Sequence, residues 1–308
     1  MLWGGSILPT ILDNKLVIAI SSRALFDLSE SNQIFETSGL MEYIKYQFEH
    51  EDQQLERGVA FPLIKRLLAL RYPQTNERAV EIILVSKNDP NTGLRVFNSI
   101  EQYGLDISRA AFTNGRTPYY YLDAFKTDLF LSANQEDVKL ALAHGHASAT
   151  IYTGPEFKDD ETDEIRIAFD GDAVIFSDEA ERVFQEQGLE QFKKHEAEKS
   201  EIPLPPGPLK PFLEALHAVQ KACAELPNKP IRTALVTARN APAHKRAIKT
   251  LRGWGIAIDE AFFLGGLDKT PILDQFRPHI FFDDQQTYCR NAAKFVPTGH
   301  VPSGIRNG

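Results

Sequence analysis

The sequence predicts an α/β fold of two tandem units, each a parallel sheet flanked by helices. Three observations lead to this prediction: short apolar runs alternate with amphipathic segments, the chain repeats itself once, and polar residues follow the ends of several apolar runs. Strands that alternate with helices of this length are typical of Rossmann-like domains, in which right-handed crossovers join parallel strands.

The predicted strands are short runs rich in branched and aromatic residues. They fall at 15–20, 81–85, 128–131 and 148–152 in the first half, and at 165–169, 232–236 and 279–282 in the second. Helical periodicity occurs between them, at 61–70, 93–103, 209–223 and 241–254. Because helical segments separate successive strands, the strands of each unit are expected to be parallel.

An internal duplication explains this regular alternation. Near the start of each half the offset is 149, since Phe35 matches Phe184 and Gly39 matches Gly188. Later the offset is 151, and the matched pairs are Gly104 with Gly255, Phe112 with Phe263, Gly115 with Gly266, Leu122 with Leu273, and Phe130 with Phe281. We interpret the chain as two copies of one unit, 1–156 and 157–308, with the acidic stretch 157–164 as linker.

Bulk properties narrow the classes of function. The formal net charge of -8 disfavours a general nucleic-acid binder, which needs a basic face. The two cysteines, Cys223 and Cys289, provide no disulfide framework. No apolar run reaches the roughly 18 residues that a transmembrane helix needs, and the first residues lack the features of a secretory signal. We therefore expect a cytoplasmic protein without a membrane partner.

Two aspartates form the most informative motif. Asp170 and Asp172 lie in the run 167–174 (IAFDGDAV), directly after an apolar strand that ends at Phe169. Ligands of open α/β sheets bind at this carboxyl edge. One carboxylate can act as a nucleophile and its neighbour as an acid and base. Taken alone, Asp-Gly-Asp fits a solvated turn or a calcium loop equally well.

Three further signals follow in a fixed order. The next strand ends at Thr237, before Ala238 and Arg239; Lys269 follows a Gly-Gly turn; and the strand 279–282 precedes Asp283 and Asp284. Each signal is weak by itself. Together they match the pattern of the haloacid dehalogenase-type phosphotransferases, which predicts that both units are of that type.

The first half lacks this chemistry. At the positions of Asp170, Asp172, Lys269, Asp283 and Asp284 it has Ser21, Arg23, Pro118, Ser132 and Ala133. Ser86 alone keeps the hydroxyl of Thr237. We interpret this half as a degenerate copy, retained for structure or for substrate binding. The segment 177–228 is too short for a large cap, so we expect the degenerate half to close over the active site.

Five stretches resemble the cytosolic 5′-nucleotidase I family, and the resemblance runs from about residue 15 to about residue 300. The stretches are 21–27, 93–100, 130–134, 168–174 and 277–285. The resemblance implies a magnesium-dependent cytosolic enzyme that hydrolyses nucleoside 5′-monophosphates to nucleoside and phosphate. A phosphatase of another small phosphate ester, or a catalytically silent nucleotide-binding regulator, stays open as an alternative. Base preference, a nucleotide effector and a homo-oligomer stay open as well.

The pattern assigns a role to each residue. Asp170 is the expected nucleophile, and Asp172 protonates the leaving oxygen and then deprotonates the attacking water. Asp170, the backbone carbonyl of Asp172, and Asp283 are expected to bind Mg²⁺, with Asp284 nearby. Phosphate oxygens are expected at Thr237, Ala238 and Lys269. Candidate nucleotide or effector contacts are Ser21, Arg23, Ser86 and Asn88, and Arg239 is a further candidate substrate contact that could reach the phosphate.

Overall fold

A computed structural model describes residues 12–153, 157, 162–224, 226 and 228–307. The predicted linker 157–164 and the boundary between the halves lie mostly outside these residues. The strands are β1 (Leu16–Ile20), β2 (Phe26–Asp27), β3 (Glu56–Arg57), β4 (Val80–Ser86), β5 (Arg109–Phe112), β6 (Leu129–Ser132), β7 (Ser148–Ile151), β8 (Ile165–Phe169), β9 (Ile231–Thr237), β10 (Glu260–Phe263), β11 (Ile280–Asp283) and β12 (Thr298–His300).

The α-helices lie between these strands and cover the sheet. They are α1 (Ser22–Leu25), α2 (Ser29–Glu49), α3 (Phe61–Ala69), α4 (Leu94–Gln102), α5 (Gln135–Ala143), α6 (Glu179–Glu198), α7 (Lys210–Ala222), α8 (His244–Gly253), α9 (Thr270–Phe276) and α10 (Gln286–Ala292). The predicted α/β class is confirmed, and so are all seven predicted strands. Within the described residues, no helix is both long and apolar enough to cross a membrane.

Ten strands form one continuous sheet, in the order β10-β9-β8-β11-β12-β7-β6-β1-β4-β5. Every neighbouring pair within a half is parallel. Each half contributes five strands to this sheet. If these five are numbered along the chain within each half, both halves have the order fifth, fourth, first, second and third from the centre of the sheet outward. Strands β2 and β3 form a separate two-stranded ribbon.

The halves meet where β12 pairs with β7, and this pairing is antiparallel. The strands of the second half therefore run opposite to those of the first. Their carboxyl ends lie at one edge of the sheet, and those of the first half lie at the other edge. The expectation that the first half closes over the Asp170 site is wrong, because the antiparallel junction directs the two sets of strand ends away from each other.

One hydrophobic core spans both halves on one face of the sheet. It contains Leu63 and Leu67 of α3 together with Leu213 and Leu216 of α7, all fully buried. Helix α3 of the first half packs against β8 of the second, and α7 of the second half packs against β1 of the first. On the other face each half has its own smaller cluster. The core therefore does not divide at the predicted boundary.

Two long helices, α2 and α6, are bent in the same way. Gly39 in α2 has φ 84° and ψ -176°, and Gly188 in α6 has φ 80° and ψ 178°. Glycine alone adopts this region without strain, because any Cβ would crowd the backbone. Most of each helix is exposed and the apolar period is broken at the glycine, which is why the sequence pattern did not predict either helix.

Candidate active site

The predicted site residues of the second half meet at one edge of the sheet. Thr237 is the last residue of β9, Asp170 directly follows β8, and Asp283 is the last residue of β11. The backbone N–H of Asp170 donates to the Phe282 carbonyl at 2.8 Å, which extends the pairing between the two strands. Because β9, β8 and β11 are adjacent and parallel, their carboxyl ends bring these side chains together.

Lys269 joins two of the aspartates. It precedes α9, as the sequence predicted, and its Nζ lies 2.8 Å from Oδ1 of Asp170 and 2.6 Å from Oδ2 of Asp283. All three residues are buried. Burial alone would lower the pKa of Lys269, but the two carboxylates raise it above its ordinary value. Lys269 is therefore a fixed positive charge inside the site.

Three buried carboxylates crowd around this single ammonium group. Oxygens of Asp170, Asp283 and Asp284 all lie within 4.8 Å of one another. Burial raises the pKa of Asp170 to about 7, although Lys269 opposes the rise. Burial, with Asp170 and Asp283, raises that of Asp284 to about 9. An all-oxygen donor set with uncompensated negative charge fits a hard divalent cation such as Mg²⁺.

The carboxylate of Asp172 lies outside this cluster and is held by Arg239. The guanidinium Nε donates to Oδ2 of Asp172 at 2.9 Å, and Nη2 donates to Oδ1 at 2.6 Å. Asp172 keeps a side-chain exposure of 20%, whereas Arg239 is buried. The sequence suggested Arg239 as a phosphate contact, but in the structure its fork faces Asp172. Such a bidentate pair fixes the direction of the carboxylate.

A buried charge network behind Arg239 was not predicted. Nη1 of Arg239 lies 2.5 Å from Oε2 of Glu196, and Nη1 of Arg246 lies 2.8 Å from Oε1 of the same carboxylate. Glu196 is fully buried, and it ties α6 to α8 and to the loop after β9. The repeat contained the available signal, because Glu196 matches Gln47 at offset 149 and Arg246 matches Arg95 at offset 151.

The loops that follow β8 and β9 are in contact. Oγ1 of Thr237 accepts a hydrogen bond from the backbone N–H of Arg239 at 3.2 Å, and Ala238 between them is exposed. A Cβ at Gly171 would lie 3.2 Å from Oγ1 of Thr237, so glycine lets the Asp170 loop approach the hydroxyl closely. The predicted phosphate-contact residues thus lie beside the aspartate pair.

The four candidate residues of the first half lie elsewhere. Ser21, Arg23, Ser86 and Asn88 line one cavity of about 520 Å³ at the carboxyl ends of β1 and β4. Five strand spacings separate β1 from β8, or about 24 Å across the sheet. The cavity also opens at the opposite edge. The structure brings these four residues together, but not with Asp170.

Comparisons with known proteins add to this geometry. A family model described as 5'-nucleotidase matches residues 8–308. The chain is 42% identical over 291 residues to cytosolic 5'-nucleotidase 1B of Homo sapiens. The aligned region covers 91% of this chain and 48% of that protein. The chain therefore spans about half the length of this curated relative.

A solved structure that aligns with the chain supports no conclusion about its fold or function. Histidinol dehydrogenase from Elizabethkingia anophelis aligns with 90% of this chain and 66% of its own, at 9% identity and a TM-score of 0.24. That score is too low to indicate a shared fold. The family model, in contrast, covers nearly the whole chain, including both sets of strand ends. The chain belongs to the 5'-nucleotidase family.

Proposed function

We propose that the protein is a Mg²⁺-dependent 5′-nucleotidase that hydrolyses nucleoside 5′-monophosphates to nucleoside and phosphate in the cytoplasm. The observation that supports the proposal most directly is the cluster of Asp170, Asp283 and Asp284 around Lys269, with the partly exposed carboxylate of Asp172 beside it. The family and the cytosolic human relative indicate the nucleotide substrate and the location.

The metal would be held by oxygen atoms of the carboxyl edge. Carboxylates of Asp170, Asp283 and Asp284 are in reach of one ion, and the backbone carbonyl of Asp172 is the proposed fourth ligand. A bound Mg²⁺ would neutralise charge on the phosphoryl oxygens. Lys269 adds a second, permanent positive charge, and Thr237 and Ala238 offer a hydroxyl and a backbone amide to the same oxygens.

The chemistry is a double displacement at phosphorus. An oxygen of Asp170 attacks, the bond from phosphorus to the 5′-oxygen breaks, and Asp172 gives its proton to the departing oxygen. Asp172 then takes a proton from a water molecule, which attacks the aspartyl-phosphate and releases inorganic phosphate with Asp170 restored. The Arg239 fork keeps Asp172 directed towards the reacting oxygen in both steps.

We also propose that the halves arose by duplication, with 1–156 as the degenerate copy and 157–308 as the catalytic one. Shared strand order, equivalent glycine bends and constant sequence offsets all support a common origin. The carboxylates needed for the proposed reaction occur after β8 and β11, and Ser21, Ser132 and Ala133 stand at the equivalent places in the other copy.

Phosphate release from a panel of nucleoside 5′-monophosphates tests the function. We expect release with Mg²⁺, none with EDTA, and none from Asp170→Asn, whereas Lys245→Ala on the exposed face of α8 should match wild type. Borohydride reduction during turnover should convert residue 170 to homoserine, which mass spectrometry detects. Turnover that survives in Asp170→Asn would rule out the mechanism, and release only from other phosphate esters would rule out the substrate class.

A further inference from the structure

The cavity of the first half has the size and position of a ligand site. Its volume of about 520 Å³ falls within the roughly 300–1,000 Å³ usual for small-molecule pockets. It lies at the carboxyl ends of β1, β4 and β6, where open α/β sheets bind ligands. Helix α2 covers it through Phe35, Leu40 and Tyr43. Since it opens at the sheet edge opposite Asp170, it is distinct from the proposed catalytic site.

The cavity lining offers unused hydrogen-bond donors. Arg23 is exposed at the rim and makes no ion pair with any residue that the structure describes. Nδ2 of Asn88 is buried and has no hydrogen-bond partner. Asn88 is near enough to the Tyr43 hydroxyl to oppose the rise in pKa that burial causes there, but its Nδ2 makes no hydrogen bond of good geometry with any described residue. A buried donor without a partner is costly unless a ligand accepts its hydrogen bond.

The other charged groups in the lining already have ion-pair or hydrogen-bond partners. Nζ of Lys87 lies 2.7 Å from Oδ1 of Asp137. The carboxylate of Asp89 accepts hydrogen bonds from the Thr92 hydroxyl at 2.6 Å and from the Asn91 backbone at 2.9 Å. Among the described residues of the lining, Arg23 is thus the cation without a carboxylate partner, and the group that it favours is an anion.

The cavity differs from the Asp170 site in its need for a metal. The four aspartates of the second half are matched here by Ser21, Arg23, Ser132 and Ala133. No carboxylate cluster occurs at these strand ends in the described residues. A phosphate group would therefore meet a guanidinium and an amide directly, without a divalent cation to offset repulsion.

Part of the cavity wall is aromatic. The rings of Phe35 and Tyr43 meet edge to face with centroids 5.8 Å apart, and Phe35 is 48% exposed. Exposed aromatic surface beside a polar pocket suits a planar, heteroaromatic group. A free guanidinium and an aromatic wall in one cavity fit the phosphate and the base of a nucleotide.

We propose that this cavity is a second, metal-independent nucleotide-binding site, with phosphate at Arg23 and Asn88 and the base against Phe35 and Tyr43. The choice of nucleotides over other phosphate esters rests on the proposed function. The site itself rests on the cavity, the free donors and the aromatic pair.

Equilibrium binding of AMP and of ADP to Asp170→Asn protein in EDTA tests the site, because metal and turnover are then both removed. We expect saturable binding at one site per chain. Arg23→Ala and Asn88→Ala should each weaken it about tenfold or more, the usual effect of losing a charge-assisted hydrogen bond. Lys45→Ala is the matched control, since Lys45 is an exposed cation of α2 outside the cavity lining and should bind as before.

Both variants are expected to keep the wild-type melting temperature, because Arg23 is exposed and unpaired and Nδ2 of Asn88 makes no hydrogen bond. Absence of binding at millimolar nucleotide would overturn the proposal. Binding that is lost in Thr237→Ala but unchanged in Arg23→Ala would also overturn it, by assigning the ligand to the other sheet edge. Failure of the proposed function is separate, because it would appear as no phosphate release while EDTA-resistant binding persists.

Discussion

Among single residues, Glu196 shows best how the site is built. This fully buried carboxylate lies between two buried guanidinium groups, those of Arg239 and Arg246. Removing one member of such a network leaves a buried charge unpaired, at a cost of about 3–5 kcal/mol. In the first half, the positions that match by sequence offset hold Asn88 for Arg239 and Gln47 for Glu196, whereas Arg246 is matched by Arg95. Arg95 is buried and has no carboxylate partner among the described residues; it donates to Gln47 at 3.4 Å and to the Gln53 carbonyl at 3.1 Å.

Arg239→Lys should lower kcat by about 10²-fold with little change in KM. A lysine gives a single point of contact, so Asp172 loses its fixed direction, and general acid–base catalysis usually contributes at least this factor. Steady-state kinetics across pH check this, because a positioning role predicts a changed pH profile of kcat. Lys245→Ala on α8, the helix that follows the Arg239 loop, is the control. An increase in KM alone would instead support the phosphate contact suggested by the sequence.

Metal binding should stabilise the protein more at high pH. The pKa of Asp170, raised to about 7, and of Asp284, raised to about 9, both exceed the ordinary value of 3.8. The metal-free folded state therefore holds protons that the unfolded chain releases, and its stability falls as pH rises through this window. Mg²⁺ replaces those protons.

Melting temperatures with Mg²⁺ and with EDTA, at about pH 6 and about pH 8, measure this linkage. We expect the gain from Mg²⁺ to be larger at the higher pH, and Asp284→Asn to reduce the difference. An equal gain at both pH values would show that protons and metal do not compete for these carboxylates.

The sequence revealed the site residues that follow apolar strands and missed those that depend on helix packing. Asp170, Thr237 and Asp283 are each fixed by the end of a strand, so a one-dimensional pattern finds them. The pairing of Glu196 with Arg246 joins residues 50 positions apart through the approach of two helices. A local sequence pattern cannot show that two residues so far apart in the chain are in contact.

At the scale of elements, α2 and α6 are matched covers of the two sheet edges. The aromatic pair Phe35 and Tyr43 of α2, with ring centroids 5.8 Å apart, corresponds to Phe184 and Phe192 of α6, 6.1 Å apart. Both pairs meet edge to face. Helix α2 lines its cavity, and α6 is tied to the Asp172 loop through Glu196 and Arg239. The bend in α6 therefore sets how the proposed substrate site is covered.

Gly188→Ala should destabilise the protein by about 1–3 kcal/mol and lower kcat/KM. Alanine is strained at this φ and ψ, although a Cβ would meet nothing within 4 Å, so the effect is that of the backbone alone. Gly39→Ala is a matched control with the same strain and the same open space. It should lose similar stability in urea unfolding while keeping its turnover. Equal loss of turnover in both variants would show that general destabilisation, rather than α6, is responsible.

The elements that were predicted share a physical reason. Strands β1, β4, β6 and β8 are buried along their whole length, so their sequences are mostly apolar, with Glu81 and Arg166 as the charged exceptions. Strands β5 and β10 lie at the outer edges of the sheet and are only partly buried, and β12 has three residues. Their sequences contain too few apolar residues in a regular pattern for the strands to be recognised.

At the scale of the whole molecule, each half completes the core of the other. Helix α3 covers β8, and α7 covers β1, within one continuous apolar cluster. The sequence predicted two units but not this exchange. Backbone groups pair at the junction of β7 with β12, and the few side chains that meet across it, such as Tyr152 and His300, form no pattern that is visible in the sequence.

Residues 157–308 produced alone should neither fold nor turn over substrate. Without the first half, the side chains of α7 and of β8 that contact α3 and β1 would be exposed to water. Co-production of 1–156 should restore a soluble complex with activity, which chromatography and phosphate release would detect. A monomeric 157–308 fragment with a cooperative melting transition and turnover would contradict the shared core.

The antiparallel junction has an evolutionary consequence. Mutations at one set of strand ends change no contact at the other, since the two sets point away from each other across about 24 Å of sheet. If the halves arose by the proposed duplication, the first half could lose its reactive groups step by step without affecting the chemistry of the second. The same separation would allow the first half to acquire a new ligand specificity while the proposed catalytic site at the other sheet edge stays unchanged.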